Sequence, residues 1–143
     1  MTSSWGAGDM RVVCILGVCF ALLQGCVAAP AHQCGPGEQT YMEDTLYFGT
    51  ETPDGVVSSQ QWSGFLSSVV TARFPQGLTV WHAEGQWRSA DGKIVHETSH
   101  VLSLVHPDDP GSDAAVMQIV TAYKTQFQQE SVLRLRSTVC AFF

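Results

Sequence analysis

The sequence predicts an α+β domain of ferredoxin-like order, β-α-β-β-α-β, with a four-stranded antiparallel sheet and two helices on one face. Strand-like alternation occurs in four segments, 39–49, 78–88, 93–106 and 132–143. Two intervening segments repeat apolar residues at helical spacing. A short Ser89-Ala90-Asp91-Gly92 connection joins the second and third strands, which is typical of a hairpin. Right-handed crossovers then predict that the first and last strands are adjacent at the centre of the sheet.

Both helical patterns have clear boundary signals. Ser58 and Gln61 match a capping box at the start of the first helix, and Pro75 ends it. The buried face of this helix is predicted to contain Trp62, Phe65, Leu66, Val69, Val70 and Phe74. Asp108-Asp109-Pro110 predicts the cap and the first-turn proline of the second helix. The apolar stripe of the second helix consists of Val116, Ile119, Val120, Tyr123 and Phe127.

Strand parity predicts which sheet residues lie under the helices. That set is Leu46, Phe48, Val80, Leu102, Leu104, Leu133 and Leu135. The opposite, uncovered set is Tyr47, Trp81, Ala83, Gly85, Trp87, Val101, Ser103, Val105, Val132, Arg134 and Arg136. An exposed face with this many apolar side chains indicates an interface or a ligand site. The two alternatives are homodimerisation through the sheets and a small-ligand cleft on this face. A tail or bulge that covers these residues locally is the third alternative. The candidate ligand or interface residues are Tyr47, Trp81, Trp87, Arg88 and Arg134.

Residues 1–33 have the pattern of a secretory signal peptide followed by a short linker, which leaves 34–143 as a single domain. Arg11 precedes an apolar run over 12–23, which is too short to anchor a chain across a bilayer, and small residues follow it. Met10 makes a more typical start than Met1. The run ends in Leu23-Gln24-Gly25-Cys26, which resembles the lipobox of bacterial lipoproteins and predicts lipidation of Cys26. Ordinary cleavage after Ala31 and an uncleaved helix are the alternatives.

The localisation expected from this segment is the periplasmic side of a bacterial membrane, with the lipid as the contact to the membrane. A soluble secreted or periplasmic protein is the alternative. Val27 follows Cys26, which resembles sorting to an outer membrane. Cys14 and Cys19 leave with the signal, so Cys34 and Cys140 remain in the mature chain. They lie at neighbouring ends of the first and last strands and are predicted to form a disulfide, with two free thiols as the alternative.

Composition and motifs argue against several classes of function. A formal net charge of -6 with only seven Lys and Arg argues against nucleic acid as a partner. His96-Glu97-Thr98-Ser99-His100 matches the zinc motif H-E-x-x-H, with His106 six residues later. That chemistry needs a helix, whereas the flanking residues predict a strand, on which His96 and His100 would be ~13 Å apart. We therefore predict no metal site and no cofactor, and no catalytic residue emerges from the sequence.

Several blocks together resemble the bacterial domain-of-unknown-function family numbered 3574. The blocks are Thr45-Leu46-Tyr47-Phe48-Gly49, Asp54-Gly55, residues 73–79, Gly85-Gln86-Trp87-Arg88, Tyr123-Lys124, Phe127 and residues 129–134. The resemblance covers residues 38–143. It implies no established activity or catalytic residues; it is compatible with export and makes a metalloprotease less favoured.

The function expected is a non-catalytic binding or interaction module on an exported bacterial protein. The alternative is a small-molecule enzyme with its pocket on the open sheet face, where Arg88, Glu84, His82 or Arg134 would supply polar groups. A zinc metalloprotease through His96, Glu97 and His100 is the least favoured interpretation.

Overall fold

The computed structural model describes residues 34–143 and has the predicted order of principal elements. The strands of the main sheet are β1 (Gln39–Gly49), β4 (Thr79–Arg88), β5 (Ile94–His106) and β6 (Leu133–Ala141). The helices are α1 (Ser59–Phe65) and α2 (Pro110–Phe127), and a small hairpin of β2 (Glu51–Thr52) and β3 (Gly55–Val56) occupies a predicted loop. The predicted signal peptide, both candidate start sites and lipidation at Cys26 lie outside the described residues.

The four long strands form one antiparallel sheet in the order β4-β5-β1-β6. The first and last strands are adjacent, as predicted, but the prediction that both lie at the centre is wrong. The crossover through α1 skips one strand position, which β5 then fills, and the crossover through α2 passes β1 to reach the free edge. The centre therefore consists of β1 and β5, and β6 is an edge strand.

Helix α1 begins at the predicted capping box. The Gln61 amide donates to the Ser58 hydroxyl at 3.2 Å, and the Ser58 amide donates to the Gln61 side-chain oxygen at 2.8 Å. Beyond Phe65 the helix does not continue as the predicted α-helix to Phe74, but widens into a π-helical segment, Leu66–Val70. Two serine hydroxyls, of Ser67 and Ser68, donate to the Gly64 carbonyl there, and such bonds compete with the regular helical ladder.

The core lies between one face of the sheet and the two helices. Leu46 and Phe48 of β1 and Leu102 and Leu104 of β5 are fully or almost fully buried beneath them. The helices contribute Trp62, Phe65, Val116, Ile119, Tyr123 and Phe127 to the same cluster. The Tyr123 hydroxyl donates to the Gly49 carbonyl at 2.8 Å, and its burial raises the pKa of the phenol. Neither helix among residues 34–143 is both long and apolar enough to span a membrane.

The predicted parity is right for β1 and β5 but wrong for β6. Arg134 is paired with Leu46, and Leu133 is paired with Tyr47, so the two arginines of β6 lie on the helix side of the sheet. Leu133 and Leu135 lie on the other side and are 56% and 50% exposed. The cause is a buried carboxylate: Asp44 occupies an inward position of β1 and binds Arg134. Val132 lies just before β6 rather than in it.

Cys34 and Cys140 are joined by a disulfide, with their Cα atoms 5.4 Å apart. The bond connects the start of the domain to the end of the last strand, which is the pairing expected from the sequence. It closes a loop with a sequence separation of 106 residues.

Candidate functional site

The sheet face opposite the helices, called the open face here, has an uncharged row of side chains across all four strands. Trp81, Val101, Tyr47 and Leu133 are directly opposite one another in the register of β4, β5, β1 and β6. Trp81 is 43% exposed, whereas Val101 is fully buried between its two large neighbours. Leu135 and Val105 extend the apolar surface beyond this row, away from the β4–β5 turn.

Between this row and the β4–β5 turn the open face is hollow. Trp87 of β4 and Val95 of β5 are the next pair of large side chains on this face. The open-face positions between this pair and the row have small side chains, with the exception of Glu97. Those small residues are Ala83, Gly85, Ser99 and Gly49. The result is a cavity of about 510 Å³, called the trough here, with Tyr47 and Trp87 among its lining residues. Residues 51–53 and 128–131 also contribute to the lining.

Glu97 places a carboxylate in the trough. The residue is half-buried, and one of its oxygens accepts from the backbone amide of Glu51 at 3.3 Å. The carboxylate lies against Gly49, where a Cβ would be only 2.6 Å from a carboxylate oxygen. Glycine at position 49 leaves the space that the carboxylate occupies. Among the residues that line the trough, the charged ones are Glu51, Glu97 and Glu130, and all of them are acidic.

The structure brings together only part of the predicted site. Tyr47 and Trp87 line the trough, and Trp81 belongs to the apolar row beside it. Arg88 and Arg134 were expected to serve the open face, and this prediction is wrong for both. Arg88 is paired with Ile94 on the helix-side parity and donates to the Gly92 carbonyl at 3.0 Å. Arg136, predicted on the open face, also lies on the helix side.

The polar groups proposed for an enzyme do not lie on the open face. His82 and Glu84 share the helix-side parity of β4, opposite His100 and Thr98. His96 and His100 lie on that same side of β5, whereas Glu97 points to the open face. The H-E-x-x-H motif is thus part of a strand that separates its glutamate from its histidines. The helical geometry that a zinc protease requires is not formed.

A buried ion network beneath α2 was not anticipated from the sequence. Asp44 has no exposed surface and accepts from Arg134 Nε at 2.6 Å, from Arg134 Nη2 at 2.7 Å and from His106 Nε2 at 2.8 Å. Burial acts to raise the pKa of Asp44, but the bonds from Arg134 and His106 outweigh it and lower that pKa. The only signal in the sequence was a charged residue at an inward position of β1, between Met42 and Leu46.

This network connects the sheet to α2 and leaves little free for chemistry. Arg134 and Arg136 both donate to Asp113 of α2, at 2.8 and 3.0 Å, and Arg136 also reaches Asp108. The second ring nitrogen of His106 lies 2.7 Å from the Pro107 carbonyl oxygen. Both ring nitrogens of His106 have hydrogen-bond partners, and Asp44 accepts three hydrogen bonds. Neither side chain is therefore free to act as a base. We assign it a structural role.

A second buried histidine lies under α1. The ring of His100 stacks on Trp62 with centroids 4.3 Å apart, and its Nδ1 is 3.0 Å from Nδ1 of His82. Burial, together with the neighbouring charge of His82, lowers the pKa of His100 to about 4. The imidazole is therefore neutral at neutral pH. Its Nε2 is buried without a hydrogen-bond partner among the described residues.

Solved structures show the same fold at low sequence identity. A phage SAM lyase in complex with S-methyl-5'-thioadenosine has a TM-score of 0.55 and 13% identity, over 80% of this chain and 97% of that one. CutA from Synechococcus elongatus has a TM-score of 0.51 and 14% identity, over 73% of this chain and 82% of that one. Both likenesses concern the ferredoxin-like fold alone.

Sequence comparison gives the family. No curated protein matches the chain. The model of one family matches residues 43–143, which is most of the chain and nearly all of the described domain. Its description is "Protein of unknown function (DUF3574)", in agreement with the resemblance noted from the sequence blocks. The chain belongs to this family.

Proposed function

We propose that this chain is a non-catalytic binding module that acts through the open face of its sheet. The observation that carries the proposal is the uncharged row Trp81, Val101, Tyr47 and Leu133, which crosses all four strands with both helices on the other side. Contiguous exposed apolar surface of this kind marks interaction sites. The enzyme alternative has less support, because Arg88, Arg134, His82 and Glu84 lie on the helix side.

The partner that we propose for the apolar row is a second copy of the chain. A two-fold interface brings the same patch of both subunits together, so a charged patch would repel itself and an uncharged one does not. The row contains no charged side chain; in its extension through Leu135 and Val105 the charged side chain is Glu43, which is paired with Val105 and accepts from the Ser103 hydroxyl at 3.0 Å. Two sheets pack face to face about 10 Å apart when such side chains interdigitate.

The test is the molar mass of the exported protein in solution, measured by analytical ultracentrifugation over a range of concentrations. Leu135→Glu places a charge on the half-exposed edge of the patch, where it costs the fold little. Ile94→Glu is the matched control, because Ile94 is 48% exposed and has the opposite parity. We expect a dimer for the wild type and for the control, and a monomer for Leu135→Glu. A monomeric wild type, or a dimer that survives Leu135→Glu, contradicts self-association through this face.

We further propose that the module is exported and held at a bacterial membrane by a lipid on Cys26. Support comes from the short apolar run after Arg11 and from Leu23-Gln24-Gly25-Cys26. The disulfide between Cys34 and Cys140 supports an oxidising compartment, where such bonds persist. An anchor of this type would keep the binding face close to the membrane surface.

A further inference from the structure

We propose that the trough is a binding site for a small organic cation, a compound with an ammonium or guanidinium group. The inference rests on the proposed function in one respect, that the open face is the working surface of the module. It adds the chemical class of a ligand, which the apolar row alone does not specify. Shape, charge and aromatic lining point to this class independently.

The shape of the trough follows from the strand register. Gly85 and Gly49 contribute no side chain to its floor, and Ser99 contributes only a hydroxymethyl group. Tyr47 and Trp87 rise at its sides, and Trp87 is 37% exposed. A volume of about 510 Å³ lies within the roughly 300–1,000 Å³ of small-molecule sites. The trough therefore has room for a ligand beside the aromatic rings.

The charged residues of the trough favour a ligand with a positive charge. Glu97 is on the floor, Glu51 and Glu130 are in the lining, and no Lys, Arg or His is among the residues that line it. Within the described chain, the one hydrogen bond to the Glu97 carboxylate is from the Glu51 amide, and no ion pair neutralises it. A half-buried carboxylate without a counter-ion attracts a cation and repels an anion.

The aromatic side chains favour an organic cation over a bare metal ion. A cation over the face of Trp or Tyr gains about 0.5–2 kcal/mol from the ring, and quaternary ammonium groups are recognised in this way. No group of three or more His, Cys, Asp or Glu suited to a metal ion occurs among residues 34–143. The pairing of Glu97 with Trp87 and Tyr47 therefore suits a cation that carries its own apolar substituents.

The experiment titrates the exported protein with choline and, separately, with N-ethylguanidinium, by calorimetry and tryptophan fluorescence. The neutral control is 3,3-dimethylbutan-1-ol, which has the shape of choline without its charge. We expect saturable binding of at least one cation, and binding of the neutral alcohol that is weaker by about tenfold or more. Binding of neither cation, or equal binding of choline and the alcohol, overturns the proposal.

Variants locate the site. Glu97→Gln keeps the shape of the side chain and removes its charge, and Trp87→Leu removes the exposed ring. Each substitution should lower the affinity for the cation about tenfold. Glu84→Gln is the matched control for Glu97→Gln, because Glu84 lies on the neighbouring strand β4 and on the opposite face of the sheet, and this variant should bind like the wild type. Thermal unfolding checks that each variant is folded. Unchanged affinity in folded Glu97→Gln contradicts the site.

The same samples separate this proposal from self-association. A monomer that binds the cation contradicts the dimer and supports the trough. A dimer that binds no cation supports the apolar row as an interface and overturns the trough.

Discussion

At the scale of single residues, His100 makes the stability of the domain depend on pH. Its pKa is lowered to about 4 by burial and by the charge of His82, whereas its ordinary value is 6.5. Between these two pH values the unfolded chain takes up a proton at His100 that the folded chain does not. The free energy of unfolding therefore rises with pH across this window. Above pH 6.5 His100 is neutral in both states, so the cost of its protonation no longer lowers stability.

We accordingly predict that the free energy of unfolding falls by about 2 kcal/mol from pH 7 to pH 5 on account of His100. His100→Phe keeps a ring against Trp62 and should lose this part of the pH dependence, as measured by urea denaturation at both pH values. His96→Phe is the control, because His96 is exposed on the same side of the same strand, and its pH dependence should match the wild type. If the free energy of unfolding of His100→Phe falls from pH 7 to pH 5 as much as that of the wild type, another group causes the pH dependence.

Residue-level reasoning from the sequence found the aromatic members of the site but not its carboxylate. Tyr47 and Trp87 stood out because large aromatic side chains are unexpected at solvent-facing positions. Glu97 is part of the zinc motif, and nothing in the sequence places it beside Tyr47 and Trp87. Its role depends on Gly49, which is 48 positions away in the sequence and adjacent only once the register of β1 and β5 is known. No pattern along one strand reveals such a hollow.

At the scale of the elements, the order of the long strands and the helices followed from periodicity, while the end of α1 and the orientation of β6 did not. The alternation Leu133-Arg134-Leu135-Arg136 specifies two faces without saying which one is buried. Placing the leucines inward is the ordinary choice, since charged residues are seldom buried without partners. Here Asp44 supplies the partner, so the arginines turn inward and the leucines outward. A shift of one residue in register exchanges the two faces of a strand. One ion pair to the buried Asp44 can therefore determine which face of β6 lies under the helices.

The ion network that sets this orientation also holds α2 against the sheet. We predict that Asp44→Ala lowers the free energy of unfolding by about 3–5 kcal/mol, because Arg134 and His106 lose the charge that compensates their burial. The measurement is chemical denaturation at neutral pH. Asp54→Ala, in the exposed turn between β2 and β3, should change stability little. Equal effects of the two substitutions would mean that the network contributes nothing specific.

At the scale of the whole molecule, the fold was predictable because every local signal agreed on the same topology. The capping box, the Asp91-Gly92 turn and the alternating strands each favour one arrangement, and together they specify the ferredoxin-like order. The position of β6 at an edge was missed because adjacency of two strands does not say which of them has a second neighbour. That information is in the crossovers, each of which skips one strand position.

The proposed anchor belongs to this scale as well. We predict that the wild-type protein, produced in a bacterial host, incorporates labelled fatty acid and sediments with membranes, and that Cys26→Ser loses the label. Cys19→Ser is the control, because Cys19 lies within the apolar run and is not the proposed attachment point. Label that persists in Cys26→Ser would contradict the anchor, and its absence from the wild type would favour ordinary cleavage.

The disulfide gives the domain an unusual response to mechanical tension. Cys34 is where the described domain begins, and Cys140 is three residues before Phe143. A pull between these two ends is transmitted by the sulfur–sulfur bond and the last few residues, so the stretch from 35 to 139 forms a closed loop outside the load path. Stretching the oxidised chain between its two ends therefore does not unravel the sheet. Reduction of this one bond would transfer the whole load to the hydrogen bonds between β1 and β6.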